Sequence, residues 1–198
     1  MDAEKKENLQ RFLRRETHAL HMRMHEHSFL LPLQDNTVSF AEYINILRGF
    51  YAFYAKWENH FSRSYLTFEN ELMPLSLLRR DFDILNINVP PAHPEVTEPT
   101  DSFSSYVGYL YVKQGSTLGG QIIGGHIRKH LHLTPQKELF YFDGYGKDTG
   151  KNWRDFRFFL QQWENDVDWS VASHMARNIF KDMDRTFTKL DKMKGQAA

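Results

Sequence analysis

The sequence predicts an all-α, single-domain helical bundle. Apolar residues recur at spacings of three and four through most of its 198 positions. No stretch alternates with period two for long enough to suggest a sheet. Four of the seven prolines, Pro90, Pro91, Pro94 and Pro99, crowd into one short loop and leave long segments free of breakers. A chain of this length buries roughly 70% of its unfolded surface on folding and needs no covalent staple.

The elements follow in order. Leu9, Leu13, Leu20 and Met24, with Phe12 at one margin, trace an apolar stripe along a first helix over about 4–27, closed by Pro32. Ser39 and Glu42 form a capping box, with Val38 and Tyr43 at the staple positions, so a second helix begins there. Phe40, Ile44, Leu47, Tyr51, Tyr54, Trp57 and Phe61 carry it on. A shorter helix follows Pro74, with Leu77, Leu78, Phe82 and Leu85 facing inward. The proline-rich stretch reads as a crossover inside one domain, because the two long helices before it would be only partly covered alone. Helical pattern resumes over 102–133, Thr134-Pro135 restarts a turn, and 143–150 is a polar Gly/Asp loop. Trp153, Phe156, Leu160 and Trp163 mark one more helix. The stripe from Ala172 through Met175, Ile179, Phe180, Met183 and Phe187 to Leu190 marks the last. We read 1–198 as one domain with its core over about 9–190 and a short polar tail.

Composition narrows the chemistry. Twenty-five basic residues balance 25 acidic ones, which gives no general attraction to nucleic acid. The absence of cysteine excludes disulfides, Cys-ligated zinc, iron–sulfur clusters, thiolate-ligated haem and a cysteine nucleophile, so any soft-metal chemistry falls to the ten histidines. A charged N-terminus without a signal-peptide core, and no run of ~20 apolar residues, make the cytoplasm the expected location.

Two features stand out from this background. Gly108, Gly115, Gly119, Gly120, Gly124 and Gly125 interrupt a segment that otherwise reads as helix, each costing about 1 kcal/mol relative to alanine. Gly115 with Gly119, and Gly120 with Gly124, strip side chains from two adjacent lines of that helix. Tight helix packing, a kink and a ligand approaching bare backbone are all open readings. The second feature is His18, His21, His25 and His27 on the first helix, where His21 sits at the border of the buried face. Ordinary boundary histidines and a zinc-like His21/His25 pair are alternatives. His126 and His130 read as a solvated face.

These two features also carry a resemblance. Leu13-Arg14, Thr17 and Leu20-His21, followed by Tyr109-Leu110-Tyr111-Val112 leading into Gly115-Ser116-Thr117-Leu118-Gly119-Gly120-Gln121, resemble the bacterial biliverdin-producing haem oxygenases, of the type associated with bacteriophytochromes. Phe142 to Gly144, Gly146, Asp148-Thr149-Gly150, Trp153 and Phe156 extend the likeness over about 9–190. The resemblance implies a haem-oxygenase-like helical fold and oxidative opening of haem, which is both cofactor and substrate, to biliverdin with release of carbon monoxide and iron. It makes His21 the axial ligand and metal-binding residue, packs Thr17 one turn before it, and sets Arg14, about 10 Å along the axis, against a propionate. Gly119 and Gly120, with Gly115 nearby, become the distal wall, where a side chain would occupy the oxygen site. Many relatives carry Asp where Ser116 stands, so Ser116 is the candidate for handling protons. Tyr111, Arg154 and Arg157 are further propionate candidates, and Phe180 a pocket-lining one. The implied partners are dioxygen, a ferredoxin- or flavoprotein-type electron donor, and a bacteriophytochrome accepting biliverdin. A non-catalytic haem-binding protein of the same fold is the alternative. A dimetal oxidase lacks its Glu-x-x-His pairs here, and a thiaminase-like enzyme its cysteine.

Overall fold

The computed structural model describes residues 7–58, 60, 61, 65, 68, 69, 71–89, 102–133 and 137–196. Among these the chain forms α1 (Leu9–His25), α2 (Leu31–Gln34), α3 (Phe40–Trp57), α4 (Pro74–Ile84), α5 (Phe103–Leu131), α6 (Thr149–Gln162) and α7 (Trp169–Gln196), with no β-strand. The proline-rich stretch and the Thr134-Pro135 restart lie outside the described residues.

Local chemistry explains where the helices begin. Asn8 caps α1 by accepting from the Arg11 N–H at 3.0 Å, and Ser39 and Glu42 complete the expected box at the start of α3. Ser102 caps α5 in the same way through the Ser105 N–H. Several boundaries differ from the sequence expectation. The turn after α1 closes before Pro32, which instead sits in the first turn of α2. The second long helix ends at Trp57, short of Phe61. The polar loop expected through Gly150 gives way to helix at Thr149, whose hydroxyl donates to the Gly146 carbonyl at 2.9 Å.

The long helix α7 organises the rest. Arg23 pairs with Asp184, Arg177 with Glu16 and His27 with Thr188, a constant offset of 161 residues, so α1 runs parallel to α7. The Asp168 N–H donates to the Ser104 hydroxyl at an offset of 64, and Gly108 meets Ala172 at the same offset, so α5 is also parallel to α7. Both therefore run in one sense along a shared spine, with no extensive packing against each other. On the far side, Trp57 of α3 donates its indole N–H to Asp182 at 2.9 Å. The core between them is aromatic: Phe50 packs on Tyr141, Phe142 and Phe187 with ring centroids 4.9, 5.7 and 5.0 Å away. Such pairs contribute about 0.5–1.5 kcal/mol each beyond area burial. No helix among the described residues is long and apolar enough to cross a membrane.

Candidate functional site

Parallel registers make the gap between α1 and α5 a defined place. Carried along α7, the two offsets put His21 level with Leu118 and Gly119. The floor there is α7 itself: Phe180 is buried and meets the His21 ring edge-on at 6.0 Å between centroids. His25 meets the same imidazole at 4.6 Å. Partial burial, and after it the neighbouring His25, His18 and Arg14, hold the His21 imidazole below its ordinary value of 6.5. At neutral pH it is uncharged and offers a lone pair.

Thr17, one turn earlier, is buried and donates its hydroxyl to the Leu13 carbonyl at 2.7 Å. Tyr111 reaches across from α5 to share a hydrogen bond with Thr17, beside Arg14. Burial raises the Tyr111 phenol, while Thr17 and Arg14 pull it back. Arg14, Thr17 and Tyr111 are thus brought together, with His21 one turn beyond Thr17 on α1.

The glycines divide. A Cβ on Gly108 would run into the Ala172 carbonyl. One on Gly124 would lie 3.0 Å from the Phe142 carbonyl oxygen, and one on Gly120 would lie 3.6 Å from it. At Gly115 and Gly119 it would meet nothing within 4 Å. Of the two bare lines, 115/119 opens on space and 120/124 is covered by the segment after α5. Ser116 donates its hydroxyl to the Lys113 carbonyl at 2.7 Å and shares a hydrogen bond with Tyr54.

Arg154 and Arg157 occupy another place. They line a cleft of about 230 Å³ with Asn8, Gln10 and Glu164, where Arg157 Nε donates to Gln10 Oε1 at 3.0 Å. Gln10 lies eleven residues before His21, about 16 Å along α1. The sequence reading missed Leu118 and Ile122, 36% and 66% exposed on the helix face that carries Gly115 and Gly119. Their spacing from Gly115 was the available signal. Among the described residues no three His, Asp or Glu gather as a metal site. The chemistry of these residues suits a flat apolar group with acidic substituents: one neutral imidazole, bare backbone on α5, exposed aliphatic side chains, and a cation beside a phenol.

The protein-family model described as Heme oxygenase matches residues 7–189. A search of curated protein sequences finds no match. Among solved structures, the chain is similar to heme oxygenase from Leptospira interrogans, with a TM-score of 0.73 and 18% identity over 92% of this chain and 100% of that one. It is also similar to the NO- and CO-bound heme oxygenase from Neisseria meningitidis, at 0.70 and 19% over 92% of each. Heme oxygenase-1 from the cyanobacterium Synechocystis, in complex with heme, gives 0.68 and 19% over 96% and 97%.

Proposed function

The chain belongs to the haem oxygenase family, and on that premise we propose that it opens haem oxidatively to biliverdin, releasing carbon monoxide and iron at the expense of dioxygen and externally supplied electrons. The observation that carries the reading is His21 standing level with bare α5 backbone across a gap floored by Phe180. The haem supplies the oxygen-activating iron and is also the molecule consumed.

The protein's part is to bind, orient and leave room. His21 offers a neutral imidazole to the iron, its ring direction set by Phe180 and His25. Arg14 and Tyr111 are placed to take a propionate at the rim. Leu118 and Ile122, exposed on the same face, would cover the apolar macrocycle. Gly115 and Gly119 keep the opposite face free of side chains, and Ser116 is the nearest hydroxyl on α5 able both to donate and to accept a proton. Arg154 and Arg157 belong to a separate cleft in this reading and are free to meet a partner. One family model over 7–189 supports a single domain. The electron donor is of ferredoxin or flavoprotein type, and a bacteriophytochrome is a fitting recipient for the bilin; both come from the resemblance.

Adding hemin to the purified protein is expected to give a histidine-ligated spectrum, and reductant with oxygen a bilin identified by chromatography. His21→Ala should remove the ligand signature. A histidine-ligated spectrum with no ring opening would overturn the catalytic reading and leave a haem-binding protein. Because the His21 pKa lies below 6.5, hemin affinity should stay flat as pH falls through 6.5. It should weaken only below the lowered value, by about tenfold per pH unit. A midpoint at or above 6.5 in a spectrophotometric titration would contradict the assignment.

A further inference from the structure

His21 is not alone on its side of α1. His25 stands one turn further on, and the two ring centroids are 4.6 Å apart with their planes at 81°. Both residues reach solvent. Neither ring forms a hydrogen bond among the described residues. His27, just past the helix end, is spent by contrast: its Nδ1 accepts from the Phe29 N–H at 3.1 Å, and its Nε2 lies 3.2 Å from the Thr188 hydroxyl. His18 lies on the same helix but makes no such ring contact with His21 among the described residues. Two neighbouring imidazoles are thus left with their nitrogens uncommitted.

Their separation suits a shared ion. A metal bound about 2.0–2.1 Å from one nitrogen of each ring sets the ring centres roughly 4.5–5.2 Å apart, for angles at the metal between square and tetrahedral. The rings stand edge to face, so turning them about their side-chain bonds, with no shift of α1, brings two nitrogens to a common point. The backbone that carries them is already fixed. Gln34 donates its amide to the His25 carbonyl at 2.6 Å, and Phe180 packs against the His21 ring. Carboxylates along the α1–α7 seam are committed elsewhere: Asp184 is held by Arg23 at 2.9 Å and Glu16 by Arg177 at 2.6 Å. Among the described residues no third ligating side chain joins the pair. Water fills the other positions of such an ion, which keeps it exchangeable.

We propose that in the haem-free protein His21 and His25 chelate a divalent transition-metal ion of the kind that favours imidazole, such as zinc, and that this ion and haem exclude each other. The first half stands on the geometry of the pair; the second rests on the reading of His21 given above. Binding is a ligand exchange: two waters leave the ion as two imidazole nitrogens attach, and no electron moves. A His21 ring committed to the ion is not free for haem iron. The fraction of protein open to haem falls as the ion fills its site, and the apparent hemin affinity falls with it. Free metal in the surroundings thereby sets how much of the empty protein is ready for haem.

Calorimetric titration of zinc into the haem-free protein tests the pair. His21→Gln and His25→Gln should each weaken the tightest zinc site at least about tenfold, because each leaves one ligand where two acted together. His18→Gln should leave that site unchanged. Zinc taken up by other histidines, such as His126 and His130, is common to every variant and cancels in the comparison. All three changes fall at positions of α1 that reach solvent, so helical circular dichroism should match the wild type. In a second arm, hemin binding is followed by its absorbance at fixed zinc. The wild-type hemin Kd should rise in step with zinc occupancy, whereas His25→Gln should keep the hemin Kd it has without zinc. Equal zinc affinity in the wild type and His25→Gln, or an equal loss in His18→Gln, would overturn the site. A wild-type hemin Kd indifferent to zinc would overturn the exclusion. If His21→Gln binds hemin as well as the wild type, the ligand assignment above fails, and the zinc titration still decides the pair.

Discussion

Gly108 and Gly124 stand where a side chain would collide with neighbouring backbone, at the Ala172 and Phe142 carbonyls; Gly115 and Gly119 stand where it would meet nothing within 4 Å. In the first pair the missing Cβ lets two segments touch. In the second it keeps a volume empty on a helix that would be more stable with alanine. Glycine is tolerated at both for the same local cost of about 1 kcal/mol, but what it achieves is cohesion in one region and access in the other.

Substitutions along α5 can break that contrast. The largest effect expected is on turnover in Gly119→Leu, which should lose roughly 100-fold or more in ring opening, about 2.7 kcal/mol in barrier. Its urea midpoint should hold or rise slightly, since leucine favours helix over glycine and meets nothing there. Unchanged turnover would mean the open face is not where the chemistry occurs. Gly108→Ala should do the reverse: it destabilises the haem-free protein by about 1–3 kcal/mol through overpacking against α7. In the fraction that folds, hemin affinity stays at the wild-type value. Gly124→Ala should cost less, about 1 kcal/mol or below, because a gap of a few tenths of an ångström at Phe142 can be opened by a small shift. The smallest effect is Gly115→Ala, which should stabilise the haem-free protein by about 0.5–1 kcal/mol in a thermal melt. A fall in melting temperature there would show that the face is covered after all.

The segment that covers Gly120 and Gly124 can be probed through pH. Buried Asp81 accepts from the Phe140 N–H at 2.6 Å and the Tyr141 N–H at 2.9 Å, and burial raises its pKa from 3.8 to about 6. A raised carboxyl pKa means the folded state holds the proton more tightly. Its contribution to stability is therefore full below 3.8 and lost as pH rises through about 6. Asp81→Asn should flatten the stability profile over that window, measured by urea unfolding.

Much of this was legible in the chain because it is local. The Ser39/Glu42 box and the apolar stripes of α3 and α7 depend on neighbours within a turn or two. Likewise Arg14, Thr17 and His21 share one helix, and their common face follows from 3.6 residues per turn. The start of α6 was obscured because Asp148, Thr149 and Gly150 suit a loop as well as a first turn, and the decision came from the Gly146 carbonyl. The glycines were visible but ambiguous, since packing and access both require a missing Cβ and only the neighbour tells them apart. Glu71, from the segment ahead of α4, pairs with Lys113 of α5, and no spacing in the sequence announces that meeting.

Two walls that run parallel along one spine also share its phase. Inserting a single residue in α7 between the contacts to Ala172 and Arg177 would turn everything beyond it by about 100° and advance it about 1.5 Å. The α1 contacts at Arg177 and Asp184 would then be carried away from the α5 contacts at Asp168 and Ala172. Four inserted residues would nearly restore the phase but slide His21 past Gly119 by about 6 Å. The length of α7 between those contacts is therefore far less free to drift than its exposed surface, and what it preserves is an alignment between two helices that scarcely touch.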